Sequence, residues 1–380
     1  MLALAEIFRR EGQADRATGA DRMLPSHLAA MQASAQCRTE ALGGHVSQCP
    51  ACGDLESSDH ACQHRPGPTC QHEAATPGLA PQRALLLPVP YCLVPCTRPE
   101  DLRPRARTPP ILMDHLLCQT SAAALPTLAR DPHALGGQIG MLGVLHPWTR
   151  DLASHPHGHD LVPGGALSPE GSPGFAPRSA AWLGPVRARS RLFRGKCTAA
   201  LTTAGLCEPV PSQVWPKDWV AHCQPAGTGP AVLASFAPAI YRMALTNNRL
   251  ETREDGPVTF RFKQRSGAGW KRLTLPAEAC LHRCLQPVLP RRLSTVRSDG
   301  VLSPSRRQVL PHIKTFLAAG PSNDPATDSA PSRGREQLRP APAQERRCRT
   351  CGGPLVCLRR RAPHAREPPA CARAVPRIPG

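Results

Sequence analysis

At 380 residues the chain can hold two modest domains and a tail, and its formal net charge of +19 points to a polyanion partner, most simply nucleic acid. Forty-five prolines and thirty glycines stay below the range where low complexity becomes the default, but aromatics are only 4% and tyrosines only two, so a core here has few large rings. No apolar run approaches the ~18–20 residues that a membrane-spanning helix needs, which excludes that class.

Residues 1–36 carry helical spacing in Leu2, Ile7, Met23, Leu28 and Met31, and Pro25-Ser26 suits a helix start. From Cys37 to Cys70 the composition turns to Cys, His and Gly with few aliphatics. Such a stretch cannot build a core of its own and calls for a metal. Leu85–Val94 reads as a buried strand, with Pro95 standing where a continuing strand would need its ladder donor. Residues 111–130 fit a helix. Gly140–His146 and Leu152–Val162 read as strands, 181–206 as a surface helix mixing basic and apolar residues. Val214–Cys223 and Val258–Lys263 read as short strands. Between these two the Tyr241 segment looks helical, with Pro238 just ahead of it in a position suited to a first turn. From about Gly320 the chain is rich in Pro, Ser and Arg and is expected to be disordered.

His155-Pro156-His157-Gly158-His159 puts three imidazoles at every second position, hence on one face of an extended strand. Neutral imidazole is the commonest protein ligand for a divalent metal, although the run taken alone reads equally well as a polar loop. Charge enters the N-terminal ten residues too early for a secretory leader, so a reducing cytoplasm is the expected setting. There, the seventeen cysteines read as metal ligands rather than disulfides. Cys49-Pro50-Ala51-Cys52-Gly53 is a C-x2-C knuckle, the usual half-site for tetrahedral zinc. Cys49, Cys52, Cys62 and Cys70 would close one site, with Cys37 and His45 placed to complete or replace it. Cys348-Arg349-Thr350-Cys351-Gly352-Gly353 is a second knuckle, with only Cys357 and Cys371 near it.

The run from Cys37-Arg38-Thr39 through Gly43-Gly44-His45, then Cys49-x2-Cys52-Gly53, then Cys62 to Cys70, resembles the N-terminal zinc-binding domain of bacterial insertion-sequence transposases. The group is the rolling-circle, two-tyrosine type, the insertion-sequence ninety-one family. Leu145-His146-Pro147-Trp148, His157-x-His159 with Gly164-Gly165, and Arg242 through Leu250 resemble its catalytic domain in the same order. The resemblance implies an α+β fold, with a zinc-binding module over 1–84 and an HUH (His-hydrophobic-His) domain on a central antiparallel sheet over 85–319. A disordered basic tail over 320–380 follows. It also implies binding of single-stranded or hairpin DNA at element ends, and nicking and transfer of one strand through a phosphotyrosine, with Mg²⁺ or Mn²⁺ and structural Zn²⁺. By position His157 and His159 are the implied ligands of the divalent metal, and Gly158 replaces the hydrophobic residue between them. Arg38, Arg242, Asn247, Arg249, Lys263 and Arg265 are candidates for DNA contacts.

The chain departs from the family at named places. The two nucleophilic tyrosines lie four residues apart in the family; aligned on Arg242-x-Ala244-x-x-Asn247, those places hold Ser235 and Ala239. Tyr241 lies two residues past the second, a rotation of about 200° on a helix of 3.6 residues per turn. It is a candidate nucleophile only if the register shifts, and a phenol with its usual pKa of ~10 needs metal or base assistance. The family also has a His where Pro66 stands and a Cys where Gly67 stands. These exchanges describe a degenerate copy of a transposase frame. The alternatives are an inactive DNA-binding zinc protein or a decayed reading frame.

Overall fold

A computed structural model of the protein describes residues 3–14, 23–64, 67, 70, 79–102, 110–168, 173–174, 185–206, 212–216, 219–241, 245–253, 256–264, 269–288, 295–318 and 346–364. The chain opens with α1 (Leu4–Arg10) and α2 (Pro25–Gln36). Pro25 sits in the first turn of α2, where its missing N–H has no partner to lose. β1 (Gly44–Gln48) and β2 (Leu55–Asp59) then pair as a hairpin of mostly polar residues.

The middle of the chain supplies β3 (Pro90–Thr97), α3 (Pro110–Ala129), β4 (Gly140–Trp148), β5 (Ser154–Pro163) and α4 (Val186–Thr203). It continues with β6 (Gln224–Thr228) and α5 (Gly229–Tyr241). Next come β7 (Leu250–Arg253), β8 (Val258–Lys263), β9 (Trp270–Leu275), α6 (Ala277–Leu285) and β10 (Val296–Gly300). The central sheet runs β10–β4–β5–β3, and β6 and the short strand Val220–Ala221 both pair with the outer edge of β3. Every pairing in it is antiparallel.

Side-chain alternation divides this sheet into two faces. Met141, Leu145 and Val162 join the core under α3 and α4, with Leu117, Leu125, Phe193 and Leu201. Leu142, Val144 and Leu161 join the core under α5, which contributes Val232, Leu233, Phe236 and Ile240. Gly229, at the start of α5, is where that helix meets β3: a Cβ there would lie 2.7 Å from the Tyr91 ring. The Tyr91 hydroxyl oxygen in turn accepts the Leu87 N–H at 2.8 Å.

Three expectations need correcting. β3 does not stop before Pro95: it runs to Thr97 and keeps its ladder to β5. On its other side the neighbouring strand is broken between Ala221 and Gln224, opposite Val94 and Pro95, so a proline there faces no continuous partner. Val214–Cys223 is not one strand but a 3-10 turn over Ser212–Val214 followed by the two-residue strand Val220–Ala221. The Tyr241 segment does not open a helix at Pro238. It closes one, since α5 starts nine residues earlier and ends on Tyr241.

β7, β8 and β9 form a second antiparallel sheet. Val258 and Phe260 of β8 pack with Cys280, Leu281 and Cys284 of α6, and with Leu4, Ile7, Phe8 and Met31 of the first two helices. The N-terminal helices therefore lodge against residues 245–288, and the Leu4 N–H donates to Asn247 Oδ1 at 2.9 Å. Far along the chain, β11 (Val356–Arg361) pairs with the free edge of β1, from Gly44 opposite Arg361 to Gln48 opposite Val356. Residues 346–364, part of the stretch expected to be disordered, are thus folded onto the cysteine-rich hairpin. The average composition of 320–380 hides this short strand and knuckle. No helix among the described residues is long and apolar enough to cross a membrane.

Candidate metal centre

The register of β4 against β5 sets His146 directly opposite His157, and Val144 opposite His159. Opposed residues share a face in an antiparallel pair, so His146, His157 and His159 converge on the side covered by α5. Their ring centroids are 4.5 to 5.4 Å apart, and one ligand nitrogen from each lies within 4.8 Å of the others. The carbonyl of His155 accepts Nδ1–H of His157 at 2.7 Å, which leaves Nε2 of His157 with the lone pair that a metal needs. Burial, then the neighbouring His159 and His157, push the His146 pKa down to about 2, so this imidazole is neutral at physiological pH. Nε2 of His146 is buried without a hydrogen-bond partner among the described residues, an orphaned donor set that a cation would satisfy.

Sequence reading named His157 and His159 and left the third ligand open. His146 stood within the Leu145-His146-Pro147-Trp148 motif, and the missing signal was the β4–β5 register. His155 stacks 5.2 Å from His157 but lies outside the trio. Gly158 faces the opposite side of the sheet, where a Cβ would meet nothing nearer than the Cys96 carbonyl oxygen at 4.0 Å.

α5 lies over the imidazoles through Phe236, whose ring is 5.9 Å from His146 and 5.8 Å from His159. Ser235 is exposed beside it, and its hydroxyl donates to the Val232 carbonyl at 2.6 Å within the helix. Ala239 follows one turn later and Tyr241 ends the helix; their side chains lie outside the described residues.

The DNA-contact candidates fall in different settings. Arg242 and Arg265 lie outside the described residues. Asn247 holds the first residue of α1, as above. The Arg249 guanidinium donates to the carbonyls of Arg261 and Arg150 and lies 5.6 Å over the Phe260 ring, and burial pulls its pKa down. Both residues are structural ties. Arg38 is exposed, with its N–H bonded to the His60 carbonyl at 3.1 Å. Lys263 is exposed at the end of β8, directly opposite Trp270 on β9. Sequence reading missed the surface around it. Arg261 and Arg272 form the pair two positions along, which shares a face with Trp270, and the Arg261 guanidinium sits 5.1 Å from the centroid of that ring. Trp270 is 58% exposed, an unusual place for a large aromatic.

The cysteines do not gather as expected. Cys62 and Cys70 join Cys37, with Sγ–Sγ distances of 3.4 Å for Cys37–Cys70 and 3.5 Å for Cys62–Cys70. A Cβ on Gly67 would lie 3.0 Å from Cys62 Sγ, the place from which a fourth thiolate would complete the group. Cys49 and Cys52 stand apart from them, facing Cys348 and Cys351 instead. His45 belongs to neither group: its Nε2 faces Nε2 of His60 at 2.9 Å.

Residues 140–309, from β4 onward, match the family model described as "Putative transposase", and residues 7–97 match that of the "Transposase zinc-binding domain". Together they define the class as a transposase with an N-terminal zinc-binding domain. The chain is also 36% identical over 325 residues to "Putative transposase y4qJ" of Sinorhizobium fredii (strain NBRC 101917 / NGR234), covering 80% of this chain and 81% of that protein. The chain belongs to the insertion-sequence ninety-one family of transposases. No solved structure gives a significant match.

Proposed function

We propose that this transposase engages single-stranded DNA at an element end and holds a phosphate beside a cation on His146, His157 and His159, with its tyrosine step impaired. The observation that carries the reading is the convergence of those three imidazoles, from two paired strands, beneath the helix that bears positions 235 and 239. Three nitrogen donors with no carboxylate in the group suit Mn²⁺ better than Mg²⁺, which prefers oxygen ligands. A cation bound there supplies Lewis-acid polarisation of a phosphodiester.

The chain's own residues prepare that site. The His155 carbonyl fixes the tautomer of His157, burial keeps His146 neutral, and Phe236 packs against His146 and His159, both of which stay partly exposed. In the family's reaction a tyrosine oxygen attacks phosphorus, stays joined to the 5′ side and frees a 3′ hydroxyl. Neither Ser235 nor Ala239 offers a phenol, and the Ser235 hydroxyl donates to the Val232 carbonyl of its own helix rather than to a base. Trp270, flanked by Arg261 and Lys263, with Arg272 paired to Glu251 alongside, fits unpaired bases, which stack on an aromatic face while the phosphates meet the cations.

The test joins a binding titration to a denaturing gel, using a labelled single-stranded element end with Mn²⁺. Salt-sensitive binding without a covalent adduct is expected, and Trp270→Ala should weaken it by about 1–3 kcal/mol. An adduct formed by the unaltered chain and lost in Tyr241→Phe would overturn the impaired step. Binding indifferent to both salt and Trp270→Ala would overturn the DNA surface.

A further inference from the structure

Two knuckles 299 positions apart are built alike. In the first, the Cys49 N–H donates to the Asp54 carbonyl at 2.9 Å and the Gly53 N–H returns to the Cys49 carbonyl at 2.8 Å. In the second, the Cys348 N–H donates to the Gly353 carbonyl at 2.8 Å and the Gly352 N–H returns to the Cys348 carbonyl at 2.9 Å. Each turns on a glycine of positive φ just after its second cysteine, Gly53 at 76° and Gly352 at 75°. The two loops face each other across the end of the β1–β11 ladder. Thr350 Oγ1 donates to Asp54 Oδ2 at 2.7 Å, and the Arg349 N–H donates to Glu56 Oε1 at 2.7 Å.

Between them the sulfurs meet. Cys49 Sγ lies 3.4 Å from Cys351 Sγ, and Cys52 Sγ lies 3.6 Å from Cys348 Sγ, with all four within 4.8 Å of one another. These separations are far longer than a disulfide bond. They approach the edge of about 3.8 Å that a tetrahedron of Zn–S bonds of ~2.3 Å requires. Gly353 leaves the space clear, since a Cβ there would crowd Cys49 Sγ at 3.2 Å and Cys351 Sγ at 3.4 Å.

We infer that Cys49, Cys52, Cys348 and Cys351 form one four-thiolate zinc site, which clamps the C-terminal strand onto the N-terminal module. The matched family segments cover 7–97 and 140–309, so half of this site lies outside both. It is distinct from the Cys37, Cys62 and Cys70 group. On binding, each thiol gives its proton to solvent and the thiolate takes up the metal. Residues 346–364 become part of the zinc-binding module.

The test begins with the unaltered full chain, loaded with zinc and treated with iodoacetamide, with modified cysteines read by peptide mass spectrometry. Cys52, Cys351 and Cys357 are all exposed, so ligation is what separates them. Cys52 and Cys351 should react roughly tenfold or more slowly than Cys357, and should match it once a chelator is added. Elemental analysis of purified variants supplies the second arm. Cys348→Ser/Cys351→Ser and Cys49→Ser/Cys52→Ser should each lose about one zinc per chain, and all four substitutions together should lose no more. Equal reactivity of the three exposed cysteines in the loaded chain, or undiminished zinc in the paired variants, would overturn the site.

Discussion

On β4 and β5, three imidazoles converge because a ladder of many backbone hydrogen bonds sets His146 opposite His157. On α5, which lies over them, positions 235 and 239 hold serine and alanine, and in the proposed reading these two side chains alone would carry the nucleophile. Strand register is held by the whole sheet and does not hang on any one residue, and β5 keeps its ladders on both sides through Gly158. A helix position has no such redundancy. Its backbone persists whichever side chain it carries, and any chemistry of that side chain goes with the residue.

The largest effect should come from undoing that difference. Ser235→Tyr/Ala239→Tyr puts two phenols one turn apart on α5, and covalent DNA adduct is expected from this variant and not from the unaltered chain, in the presence of Mn²⁺. Adding His159→Ala should abolish the gain. If the tyrosine pair forms no adduct while the chain still binds Mn²⁺, the helix is misplaced and the comparison fails.

Phe236 joins the two elements, since its ring touches two of the three imidazoles and is only 6% exposed. Phe236→Ala should cost about 3–5 kcal/mol in urea unfolding and expose the partly buried histidines further. A loss below 1 kcal/mol would show that α5 does not rest on the sheet as described. Gly158→Ala is the smallest change. A Cβ there has clear space and removes a glycine from a strand interior, so a gain of about 0.5–1 kcal/mol is expected in the same measurement. Destabilisation would mean that the opposite face has already closed over the gap.

Much of this architecture could be read from local pattern. The strands at 140–146 and 152–162, the helix at 111–130 and the strand at 258–263 lie where periodicity puts them. Alternation alone set His157 and His159 on one face. What could not be read was every feature made by partners distant in sequence. His146 joins the trio only through register, and Cys49 meets Cys351 only because β11 returns to β1. Nearest-neighbour reasoning paired the Cys49 knuckle with Cys62 and Cys70, because spacing carries no information about a strand three hundred residues away. Pro95 misled for a related cause: the break in its neighbour, which accommodates the ring, lies at residues 222–223.

β1 is the middle strand of its small sheet, yet one flank is residues 55–59 and the other residues 356–361, so they are synthesised far apart in time. Until residues 356–361 have left the ribosome, one edge of β1 has no partner, and the nascent chain carries an open row of amides and carbonyls. The hairpin at 44–59 is therefore completed only after the central sheet has been made. A message cut short upstream yields a protein whose catalytic sheet is whole but whose first hairpin is left sticky and unfinished.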